Sequence, residues 1–257
     1  MIDFAYQRRE AANRVACSHP EDGLHVWQIN LDDPHAHADD CAQVLDADER
    51  ARAERFAFPL LRRRYLAAHA ALRGILGCSL GRSPDAIELR TDANGKPCLA
   101  DVPSPLRFNL SHSAGMALVA VSWRHEVGVD IERWSEPAHL MAMVAHYFSV
   151  SEKAAFWSLA DEQRVPGFHR WWTLKEACLK ATGVGLRFPL DAFCVEFRPQ
   201  FRPRLLDGPS AMQGLQLWSL DLAGVGWSAA LAWADPRGNG ARPSPTVRQW
   251  SWQGWRI

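Results

Sequence analysis

The stretch Trp171-Trp172-Thr173-Leu174-Lys175-Glu176-Ala177-Cys178-Leu179-Lys180-Ala181-Thr182-Gly183 decides how this chain is read. It has the composition of a helix that stops at a glycine, the residue that takes the left-handed conformation past a helix end at least cost. Lys175, Glu176 and Lys180 stand among apolar and aromatic neighbours that a core would bury. Glu176 and Lys180 are i and i+4, so both project from one face. Desolvating a carboxylate or an ammonium costs several kcal/mol unless it is paired or bound to something charged. That cost makes the helix a candidate site as well as scaffold. The plainer reading is a surface Glu–Lys pair, and the apolar surroundings weaken it.

Forty residues upstream lies Gly128-Val129-Asp130-Ile131-Glu132. In a strand, alternate residues share a face, so Val127, Val129 and Ile131 point one way and Asp130 and Glu132 the other. Two adjacent carboxylates repel, and a divalent cation between them removes the repulsion. Oxygen ligands without a nearby cysteine favour Mg²⁺ over zinc. Alone, the pair reads better as the solvated outer face of an edge strand. Glu176 then has two open roles, a third carboxylate for the same ion or a general base. Lys180, one turn on, is placed to neutralise a phosphate.

Working outward, residues 24–29 pattern as a first strand. Residues 46–58 are helical in character, with Asp46 or Asp48 as cap, and 61–76 continue as a helix ending near Gly77. A short strand over 87–90 precedes an Asn94-Gly95 turn. Residues 107–110 and 116–123 pattern as strands around a Ser/His/Gly turn. The run 116–121 is apolar on both faces and belongs in mid-sheet. Another strand covers 127–132, and two or three helices fill 136–182, one opening with a Ser149/Glu152 capping box. Strand patterns return at 192–197, 214–220 and 226–233, and a half-exposed strand is expected over 247–255. Residues 1–23 are polar and expected to be poorly ordered, and 234–246 read as a loop. The order points to two α+β halves joined near 123, spanning 1–122 and 123–257.

The 257 residues suffice for one large domain or two small ones, with 47% hydrophobic and 23% charged residues typical of a globular protein. Lys plus Arg equals Asp plus Glu at 29 each, which gives no support to nucleic-acid binding. The six cysteines form no CxxC pair or zinc spacing and read as free thiols of a reducing compartment. Without a signal-like N-terminus or a membrane-length apolar run, a cytoplasmic enzyme that binds no membrane is expected.

Three further groups carry polar chemistry. Asn94-Gly95-Lys96-Pro97 is a turn whose lysine is able to hold a phosphate, although a solvated hairpin accounts for it as well. Phe108-Asn109-Leu110-Ser111-His112-Ser113 sets several donors at a strand end, and no GxSxG elbow supports a serine hydrolase. Phosphate or ribose contact suits it better. Arg50, Arg52, Arg55 and Arg62 to Arg64 suit bidentate phosphate binding, with a solvated charge run as the plainer role for most.

The order NGKP, FNLSHS, GVDIE and WWTLKEACLKATGVGL, over residues 94–186, resembles the Sfp-type 4′-phosphopantetheinyl transferases. The stretch 49–73 is similar to that family's N-terminal half. The resemblance implies two similar α+β halves related by a pseudo-twofold, with the active site in the cleft between them. It implies transfer of 4′-phosphopantetheine from coenzyme A to a serine hydroxyl of an apo acyl or peptidyl carrier protein. The by-product would be adenosine 3′,5′-bisphosphate. Carried over by motif, Asp130, Glu132 and Glu176 hold Mg²⁺ against the pyrophosphate. Glu176 also serves as base for the carrier serine, directly or through water, and Lys180 binds the pyrophosphate. Lys96, Pro97, Ser111 and His112 contact the 3′-phosphate and adenosine side, joined by Arg64 and less closely by Arg52. Residues 139–157 would receive the carrier helix or are ordinary core helices. A monomer is expected, since the two halves already form the cleft. Fatty-acid, polyketide, nonribosomal-peptide and pigment pathways all stay open. The rivals are another Mg²⁺-dependent phosphotransferase, and an inactive relative that binds coenzyme A or carrier proteins without transfer.

Overall fold

The computed structural model describes residues 23–100, 104–185, 188–197, 201–222, 225–234 and 244–253. The expectations for residues 1–22 and for most of 234–246 therefore lie outside the described residues. The alternating Leu24, Val26 and His25, Trp27 of the first apolar run build β1 (Leu24–Asn30). Helix α1 (Ala38–Gln43) and helix α2 (Ala47–Ala53) follow. Asp46 caps α2 in a full capping box with Glu49, and the helix ends at Ala53, five residues short of the expected limit. Helix α3 (Pro59–Leu80) starts with proline in its first turn and ends at Gly81, whose φ of 67° is left-handed. Gly77 is thus inside the helix, not its end. Its missing side chain has another cause: a Cβ there would stand 2.7 Å from the Arg82 carbonyl oxygen.

Strands β2 (Leu89–Thr91) and β3 (Pro97–Leu99) form a hairpin about the Asn94-Gly95 turn. Strand β4 (Arg107–Ser113) is longer than the pattern suggested, and β5 (Met116–Ser122) ends one residue before the expected limit. Ser111, His112 and Ser113 belong to β4 itself, and only Ala114 and Gly115 make the turn. Strand β6 (Val127–Arg133) opens the second half. Three helices follow: α4 (Leu140–Tyr147), α5 (Val150–Trp157) with its Ser149/Glu152 capping box, and α6 (Asp161–Thr182), capped by left-handed Gly183. Then come β7 (Cys194–Glu196), β8 (Arg204–Asp207), β9 (Leu215–Ser219), β10 (Trp227–Ala234) and β11 (Thr246–Gln249). Strand β8 has no counterpart in the sequence reading, and β11 is shorter than expected.

Two sheets carry the fold. The first has order β11-β1-β5-β4 and the second β6-β10-β9, with β2-β3 and β7-β8 as separate hairpins. The apolar 116–121 run sits in mid-sheet, paired on both sides. Each sheet is covered by one of the 22-residue helices, so the molecule consists of two α+β halves. Strand β11 crosses back to pair in parallel with β1 of the first half. Val127, Val129 and Ile131 join Leu24, Val26, Leu118 and Ala120 in one apolar cluster, which binds the sheets together. Among the described residues no helix is long and apolar enough to cross a membrane.

Candidate active site

Strands β4 and β6 run side by side without a backbone ladder, joined by side chains. Asn109 Oδ1 accepts from Val129 N at 2.8 Å, Ser111 Oγ donates to Asp130 Oδ1 at 2.8 Å, and Ser113 Oγ donates to Glu132 Oε2 at 2.8 Å. Period-two alternation on both strands sets these hydroxyls opposite these carboxylates. The seam between the sheets is therefore polar on the face that carries Asp130 and Glu132, and apolar behind it.

Helix α6 lies on that polar face at touching distance. A Cβ on Gly128 would fall 2.2 Å from the Ala177 carbonyl oxygen and 2.3 Å from Ala181 N. Only glycine allows the approach, and it brings the Glu176–Lys180 face over the strand. Lys180 Nζ donates to Asp130 Oδ1 at 2.6 Å and to Ser111 Oγ at 3.1 Å. Glu176 is half-buried and hydrogen-bonded to no described residue.

The electrostatics are strained toward excess negative charge. Burial pushes Asp130 above the usual carboxylate range, against the opposing pull of Lys180 and Ser111. Glu132 is raised first by burial, against its Ser113 hydrogen bond, and then by the Asp130 charge. Glu176 is raised by burial and by the Asp130 and Glu132 charges, with Lys180 opposing. Asp130 Oδ2 is buried without a hydrogen-bond partner among the described residues. Three carboxylates thus share one ammonium. Among the described residues no group of three or more His, Cys, Asp and Glu side chains forms a ready-made metal cluster.

His112, exposed at the same strand end, has its pKa lowered by desolvation and by the charges of His69, Lys180 and Arg52. Arg52 in turn stands 5.9 Å from the Tyr65 ring centroid. Arg52 and His69 thus lie close enough to His112 for their charges to act on it, and His69 is itself paired with Glu49 at 2.8 Å. Arg64 is engaged elsewhere, gripping Asp32 through Nε at 2.9 Å and Nη2 at 2.6 Å. The Lys96 ammonium contacts Glu126 and two backbone carbonyls. Its stem and Pro97 line a cavity of about 270 Å³ together with Arg90, Asp92, Arg107 and Phe108.

Lys175, grouped with Glu176 and Lys180 in the sequence, faces away from them. It is fully buried and donates to Glu152 and to the Phe193 carbonyl oxygen, each at 2.7 Å. Desolvation lowers its pKa, outweighing the Glu152 charge. Its role is structural. Sequence reasoning missed Glu152 as its partner and gave His69 no role; it placed Asn109 and Ser113 in the donor-rich strand end without their partners Val129 and Glu132. Ser113 had a signal: it follows Ser111 by two, as Glu132 follows Asp130.

A family model described as the 4′-phosphopantetheinyl transferase superfamily matches residues 126–230, and one described as 4′-phosphopantetheinyl transferase, N-terminal, matches residues 33–124. Over 201 residues the chain is 39% identical to 4′-phosphopantetheinyl transferase HetI of Nostoc sp., covering 77% of this chain and 81% of that protein. It is 33% identical over 196 residues to 4′-phosphopantetheinyl transferase psf-1 of Bacillus pumilus, covering 75% of this chain and 82% of that one. It is also 26% identical over 174 residues to 4′-phosphopantetheinyl transferase Sfp of Bacillus subtilis, covering 67% and 76%. The chain belongs to the 4′-phosphopantetheinyl transferase family.

Proposed function

We propose that this enzyme moves 4′-phosphopantetheine from coenzyme A to a serine of an apo acyl or peptidyl carrier protein at the β6–α6 crevice. The observation that carries the reading is Lys180 Nζ held 2.6 Å from Asp130 Oδ1 with Glu132 and Glu176 beside them. Phosphoryl transfer needs positioning and charge neutralisation more than covalent chemistry, and this cluster supplies both.

The donor set fits a hard divalent cation. All three groups are carboxylates, burial raises each pKa, neighbouring carboxylate charge adds to it at Glu132 and Glu176, and Asp130 Oδ2 lacks a partner among the described residues. Asp130, Glu132 and Glu176 would hold Mg²⁺. Bound there, the ion would offset pyrophosphate charge. Glu176 takes the proton of the carrier serine, directly or through water. Its raised pKa makes it the stronger base once ionised. The serine oxygen forms a bond to the phosphorus that bears pantetheine. The pyrophosphate P–O bond breaks, and its electron pair leaves with adenosine 3′,5′-bisphosphate. Lys180 moves from Asp130 to the departing phosphate, and Ser111 keeps Asp130 in place. Arg52 and His112 meet the 3′-phosphate. Arg64 joins them by releasing Asp32. Pro97 faces the adenosine side through the cavity it lines.

Residues 1–122 and 123–257 make up the two halves, apart from the returning β11. We place the enzyme in the cytoplasm as a monomer without membrane or nucleic-acid partners. The test is incubation with coenzyme A, Mg²⁺ and a panel of apo carrier proteins, followed by mass spectrometry of the carriers. A phosphopantetheine adduct is expected on at least one, lost with chelator. No adduct on any carrier would refute the reading.

A further inference from the structure

The Asn94-Gly95-Lys96-Pro97 turn reads in sequence as a phosphate contact, yet its polar atoms face the protein. Lys96 Nζ lies 3.1 Å from Glu126 Oε2, 3.2 Å from the Val127 carbonyl oxygen and 3.5 Å from the Ala181 carbonyl oxygen. An ammonium has three N–H donors, and these three acceptors use them all. Glu126 is itself shared with Arg107, so two cations hold one carboxylate. Asn94 Nδ2 donates to the Gly183 carbonyl oxygen at 2.6 Å. Asp92 Oδ1 accepts from both Asn94 N and Lys96 N at 2.9 Å, which fixes the turn that presents the two side chains.

Both acceptors on α6 are carbonyls at its C-terminal end. The last carbonyls of a helix lack partners within it and carry the negative end of its dipole, where a cation is stabilising. Lys96 and Asn94 supply that partnership from the other half of the molecule. Ala181 is the residue next to Lys180, and Val127 lies next to Gly128, where helix and strand already touch. One ammonium therefore joins the hairpin, the start of β6 and the final turn of α6.

We infer that Lys96 is a positioning residue: it latches the end of α6 onto β6 and thereby sets where Lys180 meets Asp130. The inference rests on the proposed transfer reaction for its kinetic consequence, and on geometry alone for the latch. Pivoted on Gly128, an unlatched helix end shifts the Lys180 head from its place over Asp130. Chemistry then slows while the adenosine side of the substrate is still held by other groups.

The experiment compares wild type with Lys96→Met, Lys96→Arg and Asn94→Ala. It reads transfer kinetics, binding of adenosine 3′,5′-bisphosphate by calorimetry, and amide exchange over residues 177–183. For Lys96→Met, kcat is expected to fall about tenfold to a hundredfold, as for a misplacement of about 1 Å. The KM for coenzyme A and the bisphosphate Kd are expected to stay within about twofold, and exchange near Gly183 to quicken. Lys96→Arg, which keeps the charge, recovers part of kcat. Asn94→Ala shifts the same readouts less, and it decides the question if Lys96→Met does not fold. A rise in KM and bisphosphate Kd at unchanged kcat would make Lys96 a ligand contact and overturn the inference. Unchanged exchange over 177–183 would overturn it too. Should wild type modify no carrier, the transfer reading fails, while exchange still tests the latch.

Discussion

Helices α3 and α6 are both 22 residues long, both end at a left-handed glycine, and each buries one strong cation. Arg73 on α3 is 1% exposed and bonds Glu49, Asp46 and the Ile87 carbonyl oxygen, each at 2.6 Å. Lys175 on α6 bonds Glu152 and the Phe193 carbonyl oxygen and sits 4.2 Å from the Phe193 ring centroid. Up to this point the halves agree: a buried cation is retained because its donors are used. They diverge in the charges left over. In the first half Glu49 is lowered, since His69 and Arg73 outweigh the upward push of burial. In the second half Asp130, Glu132 and Glu176 are all raised. One half spends its charges on its own stability, and the other keeps a surplus of negative charge for a ligand.

The sharpest way to break the parallel between the cations is to cut each pair. Lys175→Met should destabilise by about 3–5 kcal/mol, because Glu152 is left buried without a counter-charge, and Arg73→Met by less, because Asp46 is partly exposed and Glu49 keeps His69. Urea unfolding measures this. Adding Glu152→Gln to Lys175→Met, which removes the charge and keeps an acceptor for Val195 N and Ser149 N, should restore part of the loss, and failure to do so would show that the pair is more than a solved burial problem.

The next largest effect separates the surplus charges. Glu176→Gln should cut transfer by about 10²–10³, in the range seen when a transition-state contact is removed. Melting temperature should stay level or rise, because repulsion is relieved. Glu49→Gln is expected to do the reverse, weakening the fold with a smaller effect on rate. Single-turnover transfer and thermal melts on the two variants would erase the distinction between halves if both lost activity and stability alike.

A smaller effect is expected from Gly128→Ala, which forces strand and helix apart where the gap is nil. Overpacking of this kind costs about 1–3 kcal/mol. Activity should fall further than stability, since the displaced face carries Lys180. Equal losses in both would deny the contact any special bearing on the site.

The smallest effect is in pH. Glu49 has a folded pKa below its unfolded value near 4.5, so its contribution is present above that value and is lost as pH falls through the folded pKa. Asp130, Glu132 and Glu176 have folded pKa values above their unfolded ones. Their penalty is full above the raised values and disappears as pH falls below the unfolded range. Moving from neutral pH toward 4.5, α6 should gain exchange protection relative to α3, after correction for intrinsic rates. Below 4.5, α3 should weaken first. The opposite order would overturn the assignment of surplus charge.

The sequence made much of this legible. Apolar patterning places strands at 24–29, 116–123 and 127–132, each within a residue of its observed end, and spacing gives the Ser149/Glu152 capping box and Asp46 as one of two candidate caps. The Asp130/Glu132 alternation and the Glu176/Lys180 pair were readable because strand and helix periods fix which side chains share a face. Partners distant in the chain were not. Nothing local to Ser149-x-x-Glu152 says that its carboxylate also meets Lys175, 23 residues on. Lys96 reads as a phosphate lysine in the sequence because its acceptors, the Glu126 carboxylate and two backbone carbonyls, lie far along the chain and leave no local signature. Gly77 was taken for a helix end because a glycine needed for close packing and one needed for a left-handed turn look the same in sequence.

The returning strand β11 has a consequence for how the chain is made. Its parallel pairing with β1, the Trp250 N donor to the Gln28 carbonyl oxygen and the Trp252 Nε1 donor to the Asn30 carbonyl oxygen all complete the first sheet with residues synthesised after the whole of the second sheet. Until those residues leave the ribosome, β1 presents a bare row of backbone donors and acceptors, the kind of edge that recruits unwanted strands. A fragment cut near residue 123 would carry that open edge permanently. The first half therefore finishes folding last, and the two halves, distinct in architecture, are not separable parts.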